Sequence, residues 1–363
     1  MKRCKVLMVS TVEMSMGGIT TVIMNYHKYI DKEKVQIDFV ANDKVEPCLA
    51  ETIKLSQSRL YVLNRNRNPL KYMRQLRAII KENRYDVVHV HGNSATMSVD
   101  LLVALTERVG LRIAHCHNTE CKHKAVHKLL MPIFLLTYTK ALACSKEAGK
   151  WIFGEDNFEV FPNGIPVRTY GFSKETRSKI RTGLHIENKL VIGHVGYFNK
   201  QKNHAKLLSI FKELKKRQEN VHLLCVTGSE QVPDNIQRLI EDFRLGNDVT
   251  VLYKRIDVNR LMQGMDIFVF PSLHEGFSVA LLEAQAAGLP CIVSDRIAKE
   301  GNLTGRVKFC PLEESDMHWA DRILDVDLPA DEERGQDNAD MLQSEFNIEK
   351  SCKKIMELYG LGD

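Results

Sequence analysis

Short apolar runs alternate with longer amphipathic ones along almost the whole chain. The runs KVLMVS (5–10), VQIDFVA (35–41), RLYVLN (59–64), DVVHVHG (86–92), RIAHCH (112–117), ALACS (141–145) and FEVFPNG (158–164) predict seven strands. Helical patterns such as ITTVIMNYHKYI and PLKYMRQLRAIIKENR lie between them. β-Branched runs alternating with helices specify a parallel sheet covered on both faces. The alternation then restarts. LVIGHVG (190–196), VHLLCVTG (221–228), DVTVLYK (248–254), DIFVFPS (266–272), CIVSD (291–295) and VKFCPL (307–312) predict six more strands. NGIPVRTYGF (163–172), with its glycines and proline, is the joint. The fold class is therefore α/β, with two Rossmann-like doubly wound domains in series. A polar stretch at 327–343 reads as irregular, and FNIEKSCKKIMELYG as a terminal amphipathic helix.

Ligands of open parallel sheets collect beyond the carboxyl ends of the strands. Two such sheets in one chain commonly face each other, so the site is expected in a cleft between them. The residues at those ends are Gly17 and Gly18, His89 and His91, His115 and His117, Gly196, Gly228, and His274-Glu275-Gly276. The stretch PSLHEGFSVALLEAQAAG (271–288) is the most informative. Ser278 is expected to cap a helix that Gly288 and Pro290 close. The backbone N–H groups of Gly276, Phe277, Ser278 and Val279 would then open at a helix start, an arrangement that binds phosphate. Glu283 follows roughly 7 Å further along the axis. Its carboxylate could accept both hydroxyls of a ribose, while Glu275 would point beyond the diphosphate. The two acids measure out a nucleotide-sugar. The plainer alternative is a capped surface helix with one solvated glutamate.

Other motifs leave more than one reading open. Gly17 and Gly18 in SMGGITTVIM permit close backbone approach and positive φ, or simply make a tight turn. Period two puts His115 and His117 of RIAHCHN on one face, either at a reacting centre or as structural histidines. Together with His89, His91, Cys116, Cys121 and His123 they raise a zinc site. However, Cys116 points away from its histidine neighbours and no C-x2-C spacing accompanies it, so no metal is expected.

HEGFSVALLEAQAAG, with Glu275-x7-Glu283 inside DIFVFPSLHEGFSVALLEAQAAGLPCIVSD, resembles the signature of retaining family-four glycosyltransferases, which have the GT-B fold. VGYFNKQKNH, PNGI, RIAHCHN and the amino-terminal GGI fall in the expected order, and the likeness spans nearly the whole chain. It is nearest to bacterial transferases of capsular and exopolysaccharide assembly. The resemblance implies an acceptor domain over 1–166 joined by the returning helix 346–363, and a donor domain over 167–345. It implies that Glu283 holds the ribose, Glu275 the donor sugar, and that Gly17 and Gly18 close over the donor phosphate. His117 would assist at the reacting centre without forming a covalent intermediate. Lys202 would offer a point charge to the leaving diphosphate. Tyr197 stands where the family carries arginine; a phenol cannot grip two phosphate oxygens, so either Lys200 substitutes, or donor affinity is lower, or the donor differs. Base and sugar contacts are expected from Tyr253 to Ile256, Arg255 included. The nucleotide-sugar is a substrate, and no cofactor is implied.

Composition adds the setting. Residues 1–165 carry 24 Lys/Arg against 16 Asp/Glu, and the rest 27 against 30, so the amino-terminal half is basic. That suits an anionic partner: phosphate, nucleic acid or an acidic membrane face. No nucleic-acid-reading motif accompanies the charge. KHKAVHKLLMPIFLLTYTK (122–140) is expected to bury its apolar side in the core; the alternative is peripheral contact with anionic lipid, suiting an acceptor on a lipid carrier. Nine scattered cysteines read as buried apolar residues of a reducing compartment. MKRCKVLMVS reads as a first strand and not as a leader, so a cytoplasmic site, at or near the inner face of the membrane, is expected. The function expected is retaining transfer of a sugar from a nucleoside diphosphate, UDP ahead of GDP, to a hydroxyl of a lipid-linked glycan. The alternatives are a nucleotide-sugar epimerase or phosphorylase and a non-catalytic nucleotide-sugar-binding subunit.

Overall fold

The computed structural model describes residues 3–121, 123–155, 157–275 and 277–362. It divides into two units, Met1–Gly164 with Ile348–Asp363, and Ile165–Asn347. The first holds seven parallel strands: β1 (Cys4–Ser10), β2 (Val35–Asn42), β3 (Leu60–Leu63), β4 (Val87–Gly92), β5 (Leu111–Cys116), β6 (Lys140–Ala143) and β7 (Glu159–Val160). Their order across the sheet is β3-β2-β1-β4-β5-β6-β7. The second holds β8 (Leu190–Val195), β9 (Val221–Thr227), β10 (Val249–Tyr253), β11 (Ile267–Phe270), β12 (Cys291–Ser294) and β13 (Val307–Cys310), ordered β10-β9-β8-β11-β12-β13. Each sheet reverses its winding once, between β1 and β4 and between β8 and β11. At such a switch point the loops diverge and leave a crevice. Every predicted strand is present; the central ones are buried on both faces, β4 and β9 along their whole length, whereas β3, β7 and β10 are partly open.

Helices connect the strands. In the first unit they are α1 (Gly18–Tyr29), α2 (Pro47–Leu55), α3 (Pro69–Asn83), α4 (Ser98–Thr106), α5 (Lys124–Thr137) and α6 (Lys146–Phe153). The second carries α7 (Lys174–Gly183), α8 (His204–Lys215), α9 (Asp234–Asp242), α10 (Val258–Gly264), α11 (Val279–Ala286), α12 (Asp316–Leu324) and α13 (Asp331–Leu342). The last helix, α14 (Ile348–Leu358), packs on α1 within the first unit. Among the described residues no helix is long and apolar enough to cross a membrane.

Two expectations are corrected. The stretch 327–343 is not irregular; it contains α13. Asp331, Glu332 and Glu333 favour the helix start, and the Glu333 carboxylate accepts from the Ala330 N–H at 2.8 Å. Its buried face is polar, made by Arg334, Asp337 and Asn338 with Met341, so no apolar period announces it. That face closes the carboxyl end of α11. Arg334 donates to the Ala287 carbonyl from Nε at 3.1 Å and Nη2 at 2.9 Å, and Asn338 Nδ2 donates to the Ala286 carbonyl at 2.7 Å. These are carbonyls a helix end leaves without partners. Gly288 makes the approach possible: its φ is +67°, and a Cβ there would lie 2.5 Å from Arg334 Cα.

The second correction concerns α5. Its core-facing residues are His127, Phe134 and Thr137, whereas Val126, Leu129, Ile133, Leu135 and Leu136 are exposed. The apolar side is outward.

Candidate active site

In the second unit the switch point brings the loop after β8 against the loop after β11. Gln201 Nε2 donates to the His274 carbonyl at 3.0 Å, Leu273 N to the Gln201 carbonyl at 2.8 Å, and Asn203 Nδ2 to the Pro271 carbonyl at 3.1 Å. Asn203 adopts the left-handed region, φ 54°, immediately before α8. The clamp sets Lys202 beside Glu275, with Nζ donating to Oε1 at 2.7 Å. Only 16% of the lysine side chain and 8% of the glutamate side chain are exposed, and the ammonium sits 4.5 Å from the Phe270 ring centroid. An ion pair so shielded is weakly screened by salt.

Two glycines at strand ends create this space. A Cβ on Gly196 would lie 3.1 Å from the Lys202 stem, and one on Gly228 2.5 Å from the Tyr197 ring. Gly196 thus lets Lys202 cross the strand end, and Gly228 receives the Tyr197 ring. The Tyr197 hydroxyl is buried without a hydrogen-bond partner. Lys200 is exposed on the same loop.

Glu283 lies on the second turn of α11, half-buried. Burial pushes its carboxyl up to about 7, against the opposing effect of a hydrogen bond from the Tyr170 hydroxyl. Tyr170 ends a 3-10 turn, Val167–Tyr170, and nothing in sequence links it to Glu283. The Gln285 side chain fixes the helix on its other side, accepting from Leu303 N at 2.8 Å and donating to the Gly301 carbonyl at 2.7 Å. Ser278 occupies the N-cap position, but its hydroxyl makes no cap, contrary to expectation. Phe277 and Val279 are half-buried, Ser278 is buried, and Gly276 lies outside the described residues. Arg255 does not join the group: it is exposed and grips Asp257 through Nε at 2.7 Å and Nη2 at 2.6 Å. Tyr253 and Ile256 flank it, exposed.

In the first unit, Gly17 precedes α1 with φ −94°, and Gly18 opens the helix. A Cβ on Gly18 would meet nothing within 4 Å. Positive φ therefore does not explain the pair, and packing within the chain does not require Gly18.

Beside the switch point, β4 and β5 align four imidazoles. His91 and His115 are register partners. Rings stack along each strand, His89 on His91 at 4.2 Å and His115 on His117 at 4.3 Å between centroids. Hydrogen bonds join them across, His89 Nε2 with His115 Nδ1 at 3.2 Å and His91 Nδ1 with His117 Nε2 at 2.9 Å. His117 Nδ1 meets Asn163 Oδ1 at 3.3 Å, and His89 Nδ1 meets the Tyr359 hydroxyl at 2.9 Å. Because the Asn163 oxygen only accepts, His117 carries its proton on Nδ1 and His91 donates to its Nε2. Burial pushes His117 down to about 4 and the other three well below the usual histidine range. All four are neutral at physiological pH.

Ligand atoms of His89, His91 and His115 lie within 4.8 Å of one another. Yet His89 spends both nitrogens on hydrogen bonds, and the unpartnered ones are His91 Nε2 and His115 Nε2. Two free nitrogens fall short of the three or four protein ligands of a zinc centre.

Comparison with known proteins agrees with this frame. The family model described as glycosyltransferase family 4 matches residues 16–169, and that described as glycosyl transferases group 1 matches residues 176–303. The chain is 31% identical to the putative glycosyltransferase EpsF of Bacillus subtilis (strain 168) over 96% of its length and 94% of the relative's. It is 26% identical, over 77% of its length and 76% of the relative's, to an Escherichia coli protein named UDP-Gal:alpha-D-GlcNAc-diphosphoundecaprenol alpha-1,3-galactosyltransferase. The crystal structure of Anabaena HepE in complex with UDP-glucose superposes with a TM-score of 0.80 at 16% identity, over 98% of this chain and 99% of that one. The fold is GT-B.

Proposed function

Because the chain belongs to the family-four, group 1 glycosyltransferases, we propose that it is a retaining enzyme that moves a hexosyl group from a nucleoside diphosphate to a hydroxyl of a lipid-linked glycan during surface-polysaccharide assembly. The observation that carries the reading is the shielded Lys202–Glu275 pair one loop before α11, with Glu283 on that helix's second turn. The donor's ribose hydroxyls donate to Glu283. Its diphosphate lies at the N–H groups of Phe277, Ser278 and Val279 and competes with Glu275 for the Lys202 ammonium. Glu275, released, accepts from hydroxyls of the sugar. The C1–phosphate bond breaks, the acceptor oxygen bonds C1 on the same face, and its proton passes to the departing phosphate oxygen. His117 stays neutral and orients a sugar hydroxyl, exchanging one of its two present contacts; that to Asn163 is the longer.

UDP is favoured over GDP because HepE was solved with UDP-glucose and the Escherichia coli relative is named for UDP-Gal. That relative's name also specifies a diphosphoundecaprenol acceptor, which supports a lipid-linked glycan here. The test is turnover of labelled UDP-sugars with a lipid-linked glycan extract, followed by NMR of the product's anomeric configuration. Retained configuration at C1 is expected. Donor consumed without acceptor marks an epimerase, and UDP binding without any turnover a non-catalytic subunit; either would overturn the reading.

A further inference from the structure

His117 is held from two sides, and the two partners differ in kind. Asn163 Oδ1 accepts from its Nδ1 at 3.3 Å, and His91 Nδ1 donates to its Nε2 at 2.9 Å. His91 is itself fixed. Its carbonyl accepts from the Thr11 N–H and from the Thr11 hydroxyl, each at 3.0 Å, and its buried ring stacks 4.2 Å from that of His89. The next residue, Gly92, leaves no room for a side chain: a Cβ there would lie 2.4 Å from Thr11 Oγ1 and 2.9 Å from Met97 Cγ. The Gly92 carbonyl accepts from the backbone N–H of His117 at 3.3 Å, which ties the two strand ends together.

The direction of this row turns on one atom. His91 Nε2 is buried and has no hydrogen-bond partner. A neutral imidazole carries one proton, so a His91 that donates from Nδ1 leaves only a lone pair at Nε2. Run the other way, with His117 donating from Nε2, the row would put the His91 proton on Nε2. That is a buried N–H without an acceptor, the rarer and costlier defect, and Asn163 would have to turn its amide nitrogen to the ring. Burial keeps both rings neutral at physiological pH. With its Nε2 lone pair occupied by the His91 N–H, His117 has no place to take a proton. What it can release is the longer contact, to Asn163, and the freed Nδ1–H can only donate. A lone pair of a sugar hydroxyl oxygen fits that position; the proton leaving the acceptor does not.

We propose that His91 is a positioning residue that acts through His117: its Nδ1–H holds the His117 proton on Nδ1, so that the ring meets the sugar as a hydrogen-bond donor and not as a base. The inference rests on the transfer reaction proposed above and names the residue that sets its sugar-directing ring.

Nitrogen-15 histidine spectra of the full chain read the place of the proton directly. The parent should show a protonated Nδ1 and a bare Nε2 for His117. His91→Asn and His91→Leu trim the ring to nearly the same volume, but only asparagine keeps an N–H at the branch position of the lost Nδ1. In His91→Leu the His117 proton should divide between the two nitrogens, and kcat for sugar transfer should fall about tenfold with donor KM little changed. His91→Asn should return the proton to Nδ1 and recover kcat to within about threefold of the parent. A parent spectrum with His117 protonated on Nε2 overturns the proposal, and that result needs no variant to fold. So do equal spectra and equal kcat in two variants with matched melting curves, which would leave His91 a packing role only. Because the spectra need no turnover, a parent that carries the Nδ1 proton yet transfers no sugar overturns the proposed reaction and not the histidine row.

Discussion

The two units share one winding pattern yet use their switch points in opposite ways. At β4 and β5 the first unit gathers four imidazoles that bond one another in pairs and stay neutral, with His117 between His91 and Asn163. At β8 and β11 the second unit gathers an ammonium and two carboxyls and keeps them largely shielded. A neutral, pre-aligned ring suits a reacting sugar, whose hydroxyls need direction more than charge. A shielded cation suits a diphosphate, which carries its own. The difference lies in which side chains end the strands at or beside each switch point, and the fold alone would not reveal it.

The contrast can be broken from either side. The largest effect is expected from Glu275→Gln, which takes the charged partner from Lys202 and, on the proposed mechanism, the sugar contact: kcat should fall about 100-fold or more in a steady-state assay. On the proposed mechanism His117→Ala should lower kcat by about 100-fold with donor KM little changed, since the ring would act on the transition state. Glu283→Gln should instead raise donor KM by about tenfold and spare kcat. In the parent protein, donor affinity should strengthen as pH rises through about 7, where Glu283 loses its proton, and calorimetry of the glutamine variant should show no such dependence.

Acid stability separates the groups by sign. Glu283 has its folded value raised, so its share of stability is full below about 4.5 and is lost as pH rises through about 7. The histidines have folded values lowered. The unfolded chain takes up protons that the fold refuses, so their share is full above about 6.5 and drains as pH falls toward 4. Melting temperature should therefore drop between pH 7.5 and 5.5, and nitrogen-15 spectra should keep His117 neutral throughout that range. Titration of His117 near 6.5 would remove the neutral stack from the account. The smallest effect is expected from Tyr197→Arg, which restores a guanidinium fork and should lower donor KM by about threefold to tenfold.

Much of this was legible in the chain. Strands buried on both faces announce themselves by continuous apolar runs, and the Glu275–Glu283 spacing marks the helix that carries the second carboxyl. The rest was not legible. The helix α13 hides because its inner face is Arg334, Asp337 and Asn338, which bond carbonyls instead of filling a core. For α5, the periodicity reveals an apolar side but not which way it turns; His127 and Trp151, distant in sequence, decide that. The partners of the site residues come from afar as well: Tyr170 for Glu283, Asn163 for His117 and Phe270 for Lys202. Gly196 and Gly228 could be seen at strand ends, but that they yield to Lys202 and Tyr197 is a matter of packing.

The most direct test of the central claim is a crystal structure of the protein with UDP. The account predicts ribose hydroxyls within hydrogen-bond distance of Glu283, the diphosphate at the start of α11, and Lys202 turned from Glu275 toward a phosphate oxygen. A nucleotide bound elsewhere, with the Lys202–Glu275 pair still closed, would contradict it.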